Sequence, residues 1–342
     1  MIRQVLRFAF LSNMVLVAII ATKGYSHAQK SPDVPKLVLA FYYNWYQNPD
    51  ISGRWAHWNE CDFRERDPGR TDGRGYHDDL GAFHTPVLGP YDSQDPEVAR
   101  LHVEWGRKTG IDVFIATWWK RETKKFENIL NAAAEGGMQV SLYYEIIPDK
   151  DPDEAVTDLL WALDNYGSTP GFFRLGGKPV IFIYGRAMNQ ISMDDWKGVI
   201  KRVKARHDVV LIADSTNRDV IENFDGAHTY NVVGTIKRGV DMQAFYKKFK
   251  TACSEAGVIS SATVIPGFDN SRVRKNYLYV DRREGELYNE LWSYALESDP
   301  DWMIITSFNE WHEGSEIEPS KELGDRYLKR TAAWISKFKD TE

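Results

Sequence analysis

Two acids three residues apart, Glu310 and Glu313, occur in the stretch Ser307-Phe308-Asn309-Glu310-Trp311-His312-Glu313-Gly314. In a helical turn that spacing puts both side chains on one face, with β-carbons about 5–6 Å apart. Carboxyl groups so close share charge unequally, and one pKa rises toward the value a general acid needs. Such a pair suits cleavage of a glycosidic bond. One acid protonates the leaving oxygen and the other assists at the sugar ring. The same residues also fit a solvated acidic loop, because Glu316 and Glu318 follow. His312 raises a metal reading, but no second histidine lies near it in sequence, so no metal is expected.

These residues need a scaffold. Eight short segments rich in Val, Ile, Tyr or Phe lack a helical period and read as strands. They are Lys36–Tyr43, Asp112–Trp119, Gln139–Glu145, Pro179–Tyr184, Val209–Asp214, Gly226–Asn231, Ala262–Phe268 and Trp302–Phe308. Helical patterns fall between and after them, from Pro96 to Thr109 and near Lys124–Glu135, Asp153–Tyr166, Asp194–Arg206, Asp241–Glu255, Glu284–Glu297 and Glu322–Lys337. Asn217–Asn223 is the weakest, one short turn or two. Alternation on this count predicts an α/β chain folded as a single (β/α)8 TIM barrel. An open doubly wound sheet would want a Gly-rich loop after its first strand, where Tyr42-Tyr43-Asn44-Trp45 stands instead. The first connection, Asn44 to Ser93, is far longer than usual and predicts a long loop that takes part in a site.

Active sites of such barrels lie at the C-terminal strand ends. Reading those ends gives Tyr43 and Trp45, Trp118 and Trp119, Tyr144 and Glu145, then Tyr184, Asp214, Tyr230, Asn231 and Asp269. Asn309, Glu310, His312 and Glu313 complete the ring. Aromatic faces stack on the C–H groups of sugar rings. Glu310 and Glu313 are therefore the candidate catalytic residues. Tyr43, Trp45, Trp118, Trp119, Glu145, Tyr184, Tyr230, Asn231, Asp269, Asn309 and His312 are the candidate substrate-binding residues. Any one of the aromatic residues also fits core packing; their common location is what points to carbohydrate.

Composition narrows the class further. Of 342 residues 43% are hydrophobic and 27% charged, with 12 Trp and 17 Tyr, which excludes disorder as the main state. Arg3 and Arg7, the mostly apolar run Phe8–Ala21 and the small residues around Ala28 read as a secretory signal over residues 1–28. The run is short for a membrane span. A mature domain of residues 29–342 would be periplasmic or extracellular. It would carry 40 basic against 49 acidic residues, which argues against nucleic acid or an anionic membrane as partner. Cys61 and Cys253 are too few and too far apart for a disulfide framework or a zinc site.

The chain resembles glycoside hydrolase family 99, the endo-α-1,2-mannosidase and endo-α-1,2-mannanase family. The likeness begins with Phe41-Tyr42-Tyr43-Asn44-Trp45-Tyr46 and Gly53-Arg54-Trp55-Ala56-His57-Trp58-Asn59. It continues through Leu88–Pro96 and Gly110-Ile111-Asp112. Its most specific motif is Ile305-Thr306-Ser307-Phe308-Asn309-Glu310-Trp311-His312-Glu313-Gly314, followed by Ile317-Glu318-Pro319. The resemblance implies a (β/α)8 barrel that cuts within α-mannoside chains with retention and without a cofactor. It implies that Glu310 is a base on the mannose 2-hydroxyl, assisting a 1,2-anhydro sugar intermediate. Glu313 would be the acid/base, Glu145 a sugar-binding carboxylate, and Tyr43, Trp119, Tyr230 and Asn309 subsite residues. The chain departs from the family pattern at Glu145-Ile146-Ile147-Pro148, at Tyr184-Gly185-Arg186 and after the seventh strand. A different α-linked polysaccharide, or a barrel that binds carbohydrate without cutting it, stays open beside α-mannan as the reading of the cleft.

Overall fold

A computed structural model describes residues 34–119 and 123–340; the expected leader, residues 1–28, lies outside them. Eight parallel strands form its centre. They are β1 (Leu37–Tyr42), β2 (Val113–Trp118), β3 (Gln139–Tyr144), β4 (Lys178–Ile183), β5 (Val210–Asp214), β6 (Gly226–His228), β7 (Ile259–Val264) and β8 (Trp302–Ile305). Each pairs with the next, and β8 pairs back onto β1 from Leu37↔Trp302 to Ala40↔Ile305, so the sheet closes. The expected barrel is present.

Closure buries both faces of every strand, which is why the strands read as almost unbroken apolar runs. The period of two divides them. Leu39, Phe41, Val113, Ile115, Phe182 and Ile304 fill the barrel interior. Val38, Ala40, Tyr42, Phe114, Ala116 and Trp118 point the other way, into the layer under the helices. A side chain's parity thus decides whether it can reach the mouth of the barrel or only the helix layer.

Among the described residues seven long helices supply most of that layer: α1 (Pro96–Thr109), α2 (Thr123–Gly136), α3 (Pro152–Tyr166), α4 (Met193–Lys204), α5 (Met242–Ala256), α6 (Glu286–Glu297) and α7 (Arg326–Lys339). Between β5 and β6 the chain makes only one turn, Arg218–Ile221, as the weak pattern there predicts. Local chemistry sets the helix ends. The Asp95 side chain accepts from Glu97 N–H, Pro96 opens α1, and Gly110 closes it at φ 94°. The apolar stripe Val98, Ala99, Val103 of α1 turns inward. A β-carbon on Gly106 would meet the Phe114 ring at 2.8 Å, so this helix approaches β2 as only glycine permits.

The sixth and eighth strands end three residues before the expected Asn231 and Phe308, and larger differences fall at the seventh strand and the last helix. The seventh strand is Ile259–Val264 rather than Ala262–Phe268. Its start hides behind polar residues: Ser260 N–H and Oγ both donate to Asp301 Oδ2, at 2.8 and 2.6 Å. Its end is set by Pro266, which has no N–H for the ladder. Phe268–Asp269 instead pairs antiparallel with Tyr279–Val280 outside the barrel. The last helix begins at Arg326, four residues later than expected, because Ser320 and Gly324 close a turn with Gly324 at φ 59°.

The long loop after β1 is ordered by its own contacts. Tyr46 stacks on Trp58 with centroids 4.2 Å apart, and Trp58 Nε1 donates to the Tyr91 carbonyl at 2.7 Å. Arg66 and Asp79, both buried, pair at 3.1 Å. The loop is thereby held against the C-terminal end of the barrel. Cys61 within it and Cys253 on α5 are both free thiols.

Candidate active site

The strand ends and the long loop enclose a cleft of about 320 Å³. Tyr43 and Trp45 reach it from the end of β1, Trp119 from β2, Glu145 from β3, Tyr184 from β4 and Tyr230 from β6. Glu310, His312 and Glu313 enter from the loop after β8. A second lobe of about 300 Å³ shares Trp45, His57 and Trp119 with it and extends past Asn44, Thr117 and Lys125.

The two glutamates meet because of the turn between them. Trp311–Glu313 is a single 3-10 turn, in which positions three apart eclipse one another. Gly314 ends it at φ 55°, against the Asp269 backbone, where a β-carbon would lie 3.0 Å from the carbonyl oxygen. Trp311 faces backward and anchors the turn. Its indole Nε1 donates to Glu318 Oε2 at 3.0 Å, and its backbone N–H donates to Tyr46 Oη at 3.0 Å. Tyr91 Oη also donates to Glu318 Oε2, and His102 Nε2 lies 3.1 Å from Glu318 Oε1. Helix α1, the long loop and the acid-bearing turn are thus tied at one buried carboxylate.

Electrostatics separates these groups from ordinary surface acids. Burial, then the charge of Glu313, pushes Glu310 well above the usual carboxylate range. Burial raises Glu313 to about 7, against the hydrogen bond from Tyr230 Oη to Oε2 at 2.6 Å and the charge of Arg274. Glu145 rises to about 7 by burial, opposed by the 2.7 Å bond from Thr117 Oγ1 and by Arg186. The Tyr230 phenol, raised by burial and by Glu313, remains a donor. Two such carboxyls hold a proton near neutral pH, which is what a paired acid and base require. The imidazoles at the rim stay neutral. Burial lowers His57 to about 3 and His312 to about 4.

Four expected site residues are not brought to the cleft lining. Trp118 is the clearest correction. Its parity turns it outward, where it is 1% exposed and packs against Trp161 of α3 with centroids 6.2 Å apart. Asn309 is fully buried behind the wall. It accepts from Tyr43 N–H at 2.7 Å and donates to the Tyr43 carbonyl at 2.9 Å and to Tyr91 Oη, so it positions Tyr43. Asn231 accepts from Val233 N–H at 3.2 Å and Asp269 from Ser271 N–H at 3.0 Å, both as local turn caps. Asp214, also at a strand end, accepts from Tyr230 N–H and Gly185 N–H and orders those two loops.

Other lining residues come from loops with no sequence period. His57 and Glu60 arrive from the long loop, Arg186 from the turn after β4, and Asn270, Val273 and Arg274 from the loop after β7. His57 lies flat on Trp45, with centroids 4.6 Å apart at 6°, and holds φ 61°, which a residue with a β-carbon adopts only under constraint. The Arg186 guanidinium lies over Trp119 at 4.9 Å and over Tyr184 at 5.6 Å.

The comparisons agree with this geometry. The sequence matches the model of Glycosyl hydrolase family 99 over residues 33–340. It is 28% identical over 336 residues to the glycoprotein endo-alpha-1,2-mannosidase of Rattus norvegicus, covering 88% of this chain and 72% of that protein. A glycoprotein endo-alpha-1,2-mannosidase-like protein of Homo sapiens is 29% identical over 325 residues, covering 84% and 70%. The solved family 99 endo-alpha-mannosidase of Bacteroides thetaiotaomicron superposes with a TM-score of 0.76 at 28% identity, over 89% of this chain and 97% of that one. With a closed barrel, acids gathered at its C-terminal mouth and a family match across the described fold, the chain belongs to glycosyl hydrolase family 99 and is a glycoside hydrolase.

Proposed function

We propose that the enzyme cuts within α-mannan or high-mannose glycans, at α-mannosidic bonds, with retention of configuration. The observation that carries the reading is the pair Glu310, buried, and Glu313, half-buried, three residues apart across one 3-10 turn and facing one cleft. Relatives named as endo-α-mannosidases over most of the chain support the mannose preference. In the first step Glu310 takes the proton of the mannose 2-hydroxyl, and O2 attacks C1 to form a 1,2-anhydro sugar. The C1–O bond to the leaving sugar breaks, and Glu313 delivers its proton to that oxygen. In the second step Glu313 takes a proton from water, which opens the anhydro ring at C1, and Glu310 returns its proton to O2. Two inversions give net retention. Trp45, Trp119 and Tyr230 supply the walls on which the rings pack. The chemistry as written uses no metal or organic cofactor.

A second substrate reading rests on Arg186, which places a guanidinium where the resemblance leads one to expect a different loop. A different α-linked glycan, cut by the same acids, would use that cation. For compartment, we propose an exported enzyme; the sequence of residues 1–28 supports it. A mannoside bearing fluorine in place of the 2-hydroxyl tests the mechanism. It should neither turn over nor label the protein. A mass increase from a trapped fluoroglycosyl group on any carboxylate would sink the anhydro route in favour of an enzyme nucleophile.

A further inference from the structure

His312 has one ring nitrogen already committed. Its Nε2 lies against the backbone carbonyl oxygen of His57. A carbonyl oxygen only accepts, so Nε2 carries the hydrogen and Nδ1 presents a lone pair. That lone pair faces further acceptors. Glu60 Oε2 lies 4.0 Å away and Glu310 Oε1 lies 3.9 Å away. Across the gap, His57 Nδ1 is buried and forms no hydrogen bond among the described residues, although Glu60 Oε1 is 3.1 Å from it. Glu310 Oε2 is likewise buried without a hydrogen-bond partner. Atoms able to bind a cation therefore converge from four side chains on one small space.

The space has the dimensions of a cation site. One donor atom each from His57, Glu60 and His312 lie within 4.8 Å of one another. Tetrahedral bonds of 2.0–2.1 Å place donors about 3.3 Å apart, and the gaps of 3.1 and 4.0 Å fall either side of that. Small rotations would close the set. The rings are already oriented. His57 stacks on Trp45 at 4.6 Å, its centroid lies 5.5 Å from that of His312 with the rings 28° apart, and its carbonyl fixes the His312 tautomer as outer-sphere carbonyls do for metal-bound histidines. Arg274 lines the same wall, with Nη1 held by Asp62 at 2.8 Å. Two imidazoles with one carboxylate suit zinc, nickel or copper rather than magnesium or calcium.

We propose that His57, Glu60 and His312 form a site for one transition-metal dication of the zinc class. The site joins two loops that are distant in sequence, which is why His312 alone gives no metal signal. Glu310 lies within reach of an ion on His312 Nδ1 and would complete its coordination. Filling the site therefore takes Glu310 away from the sugar and inhibits the enzyme, a consequence that rests on the proposed role of Glu310.

Calorimetric titration of the metal-free protein with zinc chloride tests the site without reference to activity. One ion per chain is expected, with at least tenfold weaker binding in His57→Ala and in Glu60→Gln. Unfolding temperatures of both variants show whether they are folded. Anomalous diffraction at the zinc edge should place the peak between the three side chains. No binding up to millimolar zinc, equal binding by folded variants, or a peak elsewhere would overturn the site. In hydrolysis assays zinc should inhibit reversibly, with chelator restoring the rate. Glu60→Gln should need at least tenfold more zinc for the same fractional loss. Binding at the site without inhibition would overturn the inhibitory consequence. Zinc binding by a protein that cuts no mannoside would uphold the site and count against the proposed substrate.

Discussion

Glu310 and Glu313 work, in this reading, because the protein makes them expensive to ionise. Desolvation opposes both charges, and the charge of Glu313 further opposes that of Glu310. Removing either proton carrier should lower kcat by about 10²–10⁴-fold; a Glu310→Gln enzyme with unchanged turnover would contradict its assignment as base. The pH profile is specified too. Activity needs one proton on the pair, held by Glu313 while Glu310 is ionised, and should fall at alkaline pH as Glu313 loses it. Tyr230 lowers the Glu313 pKa by donating to it, so Tyr230→Phe should move that alkaline limb to higher pH. A limb that stays in place would detach it from Glu313. Stability carries the same signature. The folded pKa of Glu145 is raised to about 7 from an ordinary 4.5, so the folded state binds its proton more tightly. The stability this contributes is complete below pH 4.5 and is lost as pH rises through about 7. Glu145→Gln should therefore be more stable than wild type at pH 8, by on the order of 1–3 kcal/mol, and nearly equal to it at pH 4.5. Denaturant midpoints at the two pH values decide this, and a difference of the same size at both would exclude the ionisation.

At the scale of elements, the adjacent tryptophans at the end of β2 have opposite fates. Trp118 belongs to the packing between β2 and α3, while Trp119 lines the cleft, its Nε1 donating to Thr117 Oγ1 at 3.1 Å. Trp118→Ala should cost about 3–5 kcal/mol of stability through the cavity it leaves, with KM of the folded enzyme near wild type. Trp119→Ala should do the reverse, raising KM with little loss of stability. A Trp118→Ala enzyme with wild-type stability and a raised KM would return Trp118 to the cleft. The pair also shows what sequence can and cannot give. Eight strands and the main helices were legible, because closure on both faces leaves apolar runs and amphipathic stripes. Counting parity inward from Ile115 to Thr117 would have separated Trp118 from the wall. No such count reaches His57, Arg186 or Arg274, which stand on irregular loops where hydrogen bonds, not periodicity, set direction. Asn309 misled for a related reason: its place in the motif beside Glu310 reflects support of Tyr43 rather than an open position.

For the whole molecule, the 50-residue stretch Asn44–Ser93 turns a generic barrel into a specific cleft. It brings Trp45, His57 and Glu60 to the acids, and Tyr91 to Glu318 behind them. The expected export signal precedes this domain. N-terminal sequencing of the exported protein should read from Gln29, and an unprocessed chain would contradict cleavage after Ala28. The most direct measurement is product analysis of residues 29–342 on yeast α-mannan and on a glucosylated high-mannose oligosaccharide, beside Glu310→Gln and Glu313→Gln. Wild type alone should release oligosaccharides rather than single mannose units. Release of monosaccharide, equal release by either variant, or no cleavage of either substrate would contradict an endo-acting α-mannosidase that works through these two acids.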